Sequence, residues 1–255
     1  MAEPFIMVAP TGARLGKADH PALPVSVDEI TETAIACKAA GAHGLHLHIR
    51  DAEGAHSLDP GRYREAIAAI NAQAPRLKLQ ITTEAADRFE VADQLRCIEA
   101  LRPEWASVSI REMARDPAVA ARLYACAAEA STCVQHILYD AADARLLTVW
   151  RRDGIVKDTQ TDVILVLGRY AGGPPSRPDH IAPLLGQCTG INRWMVCAFG
   201  PAEHGCLAEA ARLGGDLRVG FENACHGPDG TIWRNNAASV AALVRATLPL
   251  SLVES

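Results

Sequence analysis

Two periods of apolar residues alternate along this chain from end to end. Short runs that are apolar at every second position, or throughout, predict strands, and the segments between them, apolar at every third or fourth position, predict amphipathic helices. The predicted strands are 5–9, 44–51, 78–83, 105–110, 132–139, 163–167, 194–199 and 217–222. The predicted helices are 26–40, 63–72, 91–101, 118–129, 142–150, 180–185, 206–213 and 237–247. The pattern therefore predicts eight consecutive βα units.

Eight βα units in a chain of 255 residues predict a (β/α)8 TIM barrel, an α/β fold, as a single domain over 1–255. No stretch rich in Ser, Gly and Pro separates two halves. An open doubly wound sheet is the alternative, but the segment 10–13 after the first strand holds one glycine, where a dinucleotide-binding turn has several. At the first helix, Ser26 and Glu29 have the spacing of a capping box.

The second predicted strand carries the strongest candidate chemistry. Because side chains alternate across a strand, His46, His48 and Arg50 share one face. The opposite face is apolar, with Leu45, Leu47 and Ile49. Two imidazoles side by side suit a metal ion, although the same pattern also fits a half-exposed strand or buried histidines satisfied by hydrogen bonds.

Position along the chain favours the metal. In a TIM barrel the catalytic groups lie at the C-terminal ends of strands, and Glu222 ends the eighth predicted strand, which is separated from the histidines by strand one alone. Two neutral imidazoles and one carboxylate would leave open positions on a divalent ion, as in catalytic sites. Zn²⁺ is the first expectation, with manganese, iron, nickel or cobalt also compatible. A carboxylate paired with a nearby arginine is the other interpretation of Glu222.

Further polar residues point toward the same end of the barrel. Arg218 lies four residues before Glu222 and faces the lumen, where a carboxylate substrate or an internal salt bridge would pair it. His136 on the fifth strand fits either a further ligand or a hydrogen-bonded core residue. Hydroxyl groups near strand ends are candidates for substrate binding: Thr82, Thr83, Ser107 and Ser109.

Composition narrows the class of function. A net charge of -5 without a basic stripe argues against nucleic-acid binding. No apolar run reaches the roughly 20 residues of a membrane span and the start lacks a signal peptide, so we expect a cytoplasmic protein without a membrane partner. The eight cysteines form no CxxC pair and should be reduced, with Cys225 a candidate for reactivity or an extra ligand. A loop with Arg169, Gly172, Gly173 and Arg177 suits either an anionic cofactor tail or a solvated surface.

Five short stretches carry a family resemblance. They are Thr11-Gly12-Ala13, HLHIRD at 46–51, Gln80-Ile81-Thr82-Thr83, Val166-Leu167-Gly168 and Arg218-Val219-Gly220-Phe221-Glu222. In this order they resemble the β-keto acid cleavage enzyme family. The resemblance implies a zinc-bearing TIM barrel, a homo-oligomer (dimer or tetramer), that exchanges a β-keto acid with acetyl-CoA to give acetoacetate and a new CoA thioester.

The resemblance also implies roles for individual residues. His46, His48 and Glu222 would be the metal ligands. Arg218 corresponds to the arginine of the family's catalytic dyad. Thr82 and Ser107 correspond to two substrate-binding hydroxyl residues.

Three positions depart from the family pattern. The carboxylate that usually follows the metal-binding glutamate, the presumed base, is here Asn223, and an amide does not take a proton at neutral pH. Arg14 stands where the family has a substrate-contacting glutamate, and this reversal of charge argues against a substrate with an amino group there and for an additional anionic group. Glu84 and Ala85 replace a Gly-Gly pair, and Glu84 is a candidate replacement for the missing base.

The leading hypothesis is a divergent metal-dependent carbon–carbon lyase or acyltransferase acting on a β-keto or related carboxylic acid, with Arg218 stabilising developing negative charge. A metal-dependent hydrolase is an alternative, which would need a further histidine ligand such as His136. A barrel that retains the metal and binds a carboxylate without catalysis is another, and Asn223 supports it.

Overall fold

Eight parallel strands close into a barrel in the computed structural model, which describes residues 3–169 and 174–247. The strands are β1 (Ile6–Val8), β2 (Gly44–Leu47), β3 (Lys78–Thr82), β4 (Trp105–Ser109), β5 (Cys133–Leu138), β6 (Asp162–Leu167), β7 (Trp194–Ala198) and β8 (Asp216–Val219). Each strand pairs with its neighbours in sequence, and β1 pairs with both β2 and β8, which closes the ring. The predicted TIM barrel is confirmed.

A helix follows each strand and packs outside the barrel. The helices are α1 (Val27–Ala39), α2 (Pro60–Gln73), α3 (Val91–Leu101), α4 (Pro117–Glu129), α5 (Ala141–Arg152), α6 (Ile181–Leu185), α7 (Glu203–Arg212) and α8 (Asn236–Thr247). The capping box predicted at the first helix is present: Ser26 Oγ accepts the backbone N–H of Glu29, whose side chain accepts the N–H of Ser26. One short helix, Ile110–Met113, follows β4 directly.

Burial divides the apolar residues into two clusters. The larger fills the space between barrel and helices and includes Leu45, Leu47 and Ile81. The smaller lies in the lumen, where Met7, Ile164 and Met195 are fully buried. Because alternate residues of each strand face the lumen, the polar residues at these inward positions collect above this apolar floor.

Most predicted strand ends differ from the observed ones by about one residue, and three predicted strands run into segments of another structure. The second strand ends at Leu47, because Ile49–Arg50 pairs antiparallel with His56–Ser57 in a separate two-stranded ribbon. The fourth ends at Ser109, where the short helix begins. The eighth ends at Val219, because Gly220 adopts φ +138° and a Cβ there would lie 2.5 Å from the carbonyl oxygen of Ala9.

The cysteines, the helices and the predicted basic loop test further expectations from the sequence. The eight cysteines are all free. Among the helices of the described ranges, none is both long and apolar enough to cross a membrane. A single domain over 1–255 and a cytoplasmic location stay predictions. Gly172 and Gly173, named above in a basic loop, lie outside the described residues.

Candidate metal centre

His46, His48 and Glu222 converge at the C-terminal end of the barrel. His46 lies on β2, His48 follows it, and Glu222 lies in the turn after β8 rather than on the strand. The Nε2 atoms of the histidines are 3.2 Å apart, and Glu222 Oε2 lies 3.7 Å from that of His46 and 3.4 Å from that of His48. All three residues are at most 5% exposed, so these ligand atoms lie in the protein interior.

The donor atoms fit a divalent cation. Tetrahedral zinc with ligand bonds of about 2.1 Å would hold its ligand atoms roughly 3.4 Å apart, and the three separations here range from 3.2 to 3.7 Å. Burial and the charge of Arg218 keep the pKa of His46 well below its ordinary value, so this imidazole is neutral near pH 7. A neutral imidazole offers a lone pair, and lone pairs facing one another without a cation would repel. The three residues therefore form a candidate metal site.

Two glutamines fix the orientation of His46. Its Nδ1 lies 2.7 Å from Gln80 Oε1, which only accepts, so Nδ1 carries the proton and Nε2 presents its lone pair to the site. Gln80 Nε2 in turn donates to Gln135 Oε1 at 3.0 Å, and Gln135 Nε2 lies 3.8 Å from Met195 Sδ. This glutamine relay of Gln80 and Gln135 crosses the lumen and is buried, with both residues at most 1% exposed.

Arg218 supports Glu222 from within the lumen. Its Nη2 donates to Glu222 Oε1 at 3.0 Å and lies 3.3 Å from Cys197 Sγ. Burial would raise the pKa of Glu222, but the charge of Arg218 outweighs burial and holds that pKa well below its usual range. Oε1 is thus engaged by arginine, and Oε2 is the atom turned toward the histidines. The salt bridge of Glu222 is thus present, and its second oxygen stays available as a candidate metal ligand.

The turn that carries Glu222 is held by side chains from two helices. Glu203 at the start of α7 accepts the backbone N–H of Gly220 at 3.1 Å. Asn236 at the start of α8 accepts the N–H of Phe221 at 2.9 Å and donates to the carbonyl of Pro10 at 3.2 Å. These bonds satisfy the backbone where the strand ends and fix the direction of the ligand carboxylate.

Glu84 lies beside the metal ligands. Its Oε2 is 4.0 Å from His48 Nε2, and burial raises the pKa of its carboxyl. Arg14 lies farther out, with 45% of its side chain exposed, and its guanidinium is 3.0 Å from Asp87 and 4.0 Å from Glu84. Asp87 and Glu84 therefore already balance the positive charge of Arg14, from which an additional anionic group on the substrate was expected.

The predicted hydroxyl residues divide by depth. Thr82 and Ser109 line a small cavity of about 40 Å³ beside the metal ligands, here called the inner cavity. Ser107 lies two residues deeper than Ser109 on the same face of β4 and is fully buried. Thr83 faces away from the cavity and donates to the carbonyl of Ser107 at 2.9 Å. His136 lies outside the lumen against Tyr124, with its Nε2 3.1 Å from the carbonyl of Gln160, so the core interpretation applies.

A second cavity adjoins the inner cavity, and Phe199 and Glu222 line both. This outer cavity has a volume of about 780 Å³ and is lined by Phe199, Glu222 and Asn223 among others. Asn223 is 6% exposed, and neither atom of its amide group has a hydrogen-bond partner within the described residues. Cys225 also lines this cavity, but burial raises the pKa of its thiol to about 11, which argues against a reactive thiolate.

Several residues of the site escaped the sequence analysis. Gln80 stood within a stretch that carried the family resemblance but received no role, although an inward-facing amide on a strand is a detectable signal. Gln135 gives the same signal on β5. Glu203 and Asn236 lie on helices and give none, because only the closed barrel brings them near the site. Glu112 lines the inner cavity and lies two residues beyond the predicted strand four, in a short helix that the sequence analysis did not predict.

A closed parallel barrel with two histidines and a carboxylate at the C-terminal ends of its strands defines the class of TIM barrels with a candidate catalytic metal centre. The sequence places the chain within that class. It belongs to the β-keto acid cleavage enzyme family, whose model matches residues 4–251. The predicted family resemblance is confirmed.

Individual relatives are similar over parts of different length. A 3-keto-5-aminohexanoate cleavage enzyme of Fusobacterium nucleatum is 35% identical over 104 residues, which are 41% of this chain and 38% of that protein. A 3-oxoadipate:acetyl-CoA acetyltransferase of Cupriavidus necator is 34% identical over 110 residues, 43% of this chain and 38% of that protein. A 3-keto-5-aminohexanoate cleavage enzyme of Acetoanaerobium sticklandii is 24% identical over 249 residues, 94% of this chain and 90% of that protein. The first two matches thus span little more than a third of the relatives' own length.

Solved structures share the fold. The ternary complex of ObcA with a C4-CoA adduct and oxalate superposes with a TM-score of 0.64 at 17% identity, over 88% of this chain and 63% of that chain. The 3-dehydroquinate dehydratase of Geobacillus kaustophilus gives a TM-score of 0.58 at 15% identity, over 97% of this chain and 93% of that chain. At these identities the likeness supports the TIM barrel alone.

Proposed function

We propose that this protein is a metal-dependent β-keto acid cleavage enzyme that transfers the acyl part of a β-keto acid to CoA. The acid and acetyl-CoA would give acetoacetate and a new acyl-CoA, so the two carbons of the carboxyl end pass to the acetyl group. The single observation that carries the proposal is the convergence of His46, His48 and Glu222 at one buried point of a barrel of this family. The names of the relatives support acetyl-CoA as co-substrate.

Zn²⁺ is the ion we assign to the three ligands, and when bound it supplies the Lewis acidity that makes the carbon next to a carbonyl group acidic. His46 and His48 would bind it as neutral imidazoles, and Glu222 as a carboxylate. Arg218 keeps Glu222 ionised and offers a positive charge to the negative charge that develops on the substrate. Other divalent transition metals remain compatible with this ligand set.

Hydroxyl groups and a carboxylate would act on the keto acid. Thr82 and Ser109 line the inner cavity, where they can donate to the oxygens of the acid, and Ser107 would support them from below. Glu84 is the proposed base, since its carboxyl lines the same cavity and faces the metal ligands. It would take the proton from the carbon between the carboxyl and keto groups, and that carbon would attack the thioester carbonyl and expel CoA thiolate. The thiolate would then attack the keto carbon of the acid, the older carbon–carbon bond would break to release the new acyl-CoA, and Glu84 would return the proton to give acetoacetate.

The outer cavity would receive acetyl-CoA. Its volume of about 780 Å³ suits an extended thioester arm, and it adjoins the inner cavity at Phe199 and Glu222. Asn223 lies where the two substrates would meet, and its amide has no hydrogen-bond partner among the described residues. Asn223 would orient the thioester carbonyl by donating a hydrogen bond to its oxygen. Arg14, at the outer edge of the site, would orient the carboxylate of Glu84, which lies 4.0 Å from its guanidinium group.

The experiment combines metal analysis with turnover. Purified protein is incubated with acetyl-CoA and a panel of β-keto acids, and acetoacetate and bound zinc are measured. We expect about one zinc per chain and CoA-dependent acetoacetate, and both should vanish in His48→Ala. His180→Ala, which removes an exposed histidine, is the matched control and should retain both. Zinc content that is unchanged in His48→Ala would contradict the ligand assignment.

A non-catalytic metal-binding barrel is the second candidate function. The observation that favours it is the buried Asn223 in the place of a family carboxylate. In that case the zinc-loaded protein would bind a carboxylic acid with measurable heat but release no acetoacetate with any acid of the panel. A hydrolase is not proposed, because His136, the further ligand it would need, lies outside the lumen.

A further inference from the structure

A third cavity lies at the opposite end of the barrel from the metal centre. This cavity, here called the basal cavity, occupies the gap between α2 and α3 over the start of β3 and has a volume of about 550 Å³. Lys78, the first residue of β3, and Glu104, the residue before β4, place it at the N-terminal ends of the strands. No residue of the proposed mechanism lines it, and its size is that of a small-molecule site.

The helices leave apolar strand surface uncovered in the basal cavity. α2 packs mainly against α1 and α3 mainly against α4, so a gap stays open between α2 and α3. Because Gln80 faces the lumen, its neighbours Leu79 and Ile81 face outward, where the helices of a TIM barrel usually cover the strands. Leu79 is only partly buried, as are Ile67 of α2 and Leu101 of α3. The floor of the basal cavity is therefore apolar and accessible.

The rim of the basal cavity is cationic. Against one acidic residue, Glu104, four exposed basic residues line the cavity: Arg64, Arg76, Lys78 and Arg102. This excess contrasts with the net charge of -5 of the whole chain. Arg64 donates to the carbonyl of Ala100 and so links α2 to α3. The side chains of Arg76, Lys78 and Arg102 form neither a salt bridge nor a hydrogen bond with any residue in 3–169 or 174–247.

Two of these cations lie where the backbone favours glycine. Arg76 has φ +72° and Arg102 has φ +47°, both in the left-handed region. A Cβ atom makes this conformation less favourable than it is for glycine, and Arg102 is the C-cap of α3, where helices often end in glycine. The conformation at both positions indicates that the long cationic side chains have a role that glycine could not fill.

An anion with an apolar part matches this arrangement. Guanidinium groups bind phosphate oxygens through paired N–H donors, and a phosphate dianion can accept from several cations at once. An apolar group attached to the phosphate would cover Leu79 and Leu101. A hydrated inorganic ion would leave this floor exposed, and a neutral apolar molecule would leave the cations of the rim without a partner. A cavity of about 550 Å³ has room for both parts of such a ligand.

We propose that the basal cavity is a binding site for an organic phosphate monoester that carries an apolar group. Arg76, Lys78 and Arg102 bind the phosphate, and the apolar group packs on the floor formed by β3 and the two helices. The site is independent of the proposed function, because it shares no residue with the metal centre.

Calorimetric titration of the zinc-loaded protein with hexyl phosphate tests the site. Inorganic phosphate, which lacks the apolar group, and hexanoate, which carries a similar chain on a carboxylate, are the comparison ligands. We expect hexyl phosphate to bind at least about tenfold more tightly than either, because it alone satisfies both the cations and the apolar floor. Equal affinity for either comparison ligand, or no binding of hexyl phosphate, would overturn the proposal.

A double variant, Arg76→Asn with Arg102→Asn, locates the bound phosphate. Asparagine adopts the left-handed backbone more readily than most residues, so the fold should persist while two charges are lost. This variant should bind hexyl phosphate at least about tenfold more weakly and keep its zinc content. The matched control, Arg145→Gln with Arg245→Gln, removes two exposed arginines from α5 and α8 and should bind as the wild type does. Unchanged affinity in the asparagine variant would overturn the proposal, because hexyl phosphate would then bind elsewhere.

Gel filtration of the same proteins separates a ligand site from an interface between copies of this chain. We expect the wild type and both double variants to elute alike. A smaller assembly in the asparagine variant alone would show that another copy of the chain covers the basal cavity, and would overturn the proposal.

Discussion

Replacing Gln80 with leucine should weaken zinc binding about 10- to 100-fold. In the zinc-bound state His46 must turn its Nε2 lone pair to the ion, so Nδ1 must carry the proton and needs an acceptor, which Gln80 Oε1 provides at 2.7 Å. Without zinc, the proton can move to Nε2 and face Glu222 Oε2 at 3.7 Å. The substitution therefore destabilises the zinc-bound protein more than the zinc-free protein. A buried donor without an acceptor costs about 1–3 kcal/mol, which corresponds to the stated range.

The assay is a competition titration of zinc against a chromophoric chelator. Gln135→Leu is the matched control, because it removes the second link of the glutamine relay and leaves the bond between Gln80 and His46 in place. We expect Gln135→Leu to lower stability but to change zinc affinity less than Gln80→Leu does. If Gln80→Leu bound zinc as tightly as the wild type, Gln80 would not set the tautomer of His46 and the reasoning would fail.

Three further predictions concern the base, the ligand turn and the core. Asn223→Asp removes the amide N–H group that is proposed to donate to the thioester carbonyl and should lower acetoacetate release at least about tenfold; a raised rate would show that a base at this position is the limiting part and that Glu84 does not serve as one. Asn236→Ala removes the acceptor for Phe221 N–H and should lower the free energy of unfolding by about 1–3 kcal/mol in urea titrations, while Asn236→Asp, which keeps that acceptor, should lose less; equal losses would contradict the role of this bond. Burial lowers the pKa of His136 to about 4, below the roughly 6.5 of an unfolded imidazole. The unfolded chain therefore binds the extra proton, and stability present above about pH 6.5 should fall by up to about 3 kcal/mol as the pH drops to about 4. His136→Gln should reduce this slope by up to one proton, and identical slopes would refute the assignment.

The repeating elements could be predicted because their causes are local. Apolar periodicity and the capping box of Ser26 and Glu29 indicated the helices and strands, and their number indicated the barrel. His46 and His48 stood out because polar residues alternated with apolar ones in a buried strand. The candidate metal ligands were accessible to sequence reasoning because the end of a barrel strand is a position that the fold itself defines.

The remainder depends on contacts between distant segments. The bond from Gln80 to Gln135 arises only after β3 and β5 face one lumen, so the partner of each glutamine could not be predicted from its own strand. The end of β8 was misplaced because Gly220 is governed by the approach of Ala9, which comes from the other end of the chain. Glu112 was missed because a helix of four residues is too short to show a period.

The barrel seam lies between the first and last parts of the chain, and the three candidate ligands straddle it. β1 pairs with β2 on one edge and with β8 on the other, so an ion held by His46 and Glu222 would connect the first and last parts of the chain. During synthesis the three ligands cannot come together until the final βα unit has packed onto the barrel. Zinc uptake would then report completion of the ring, and apoprotein should open first at β1 when it is heated or digested with protease.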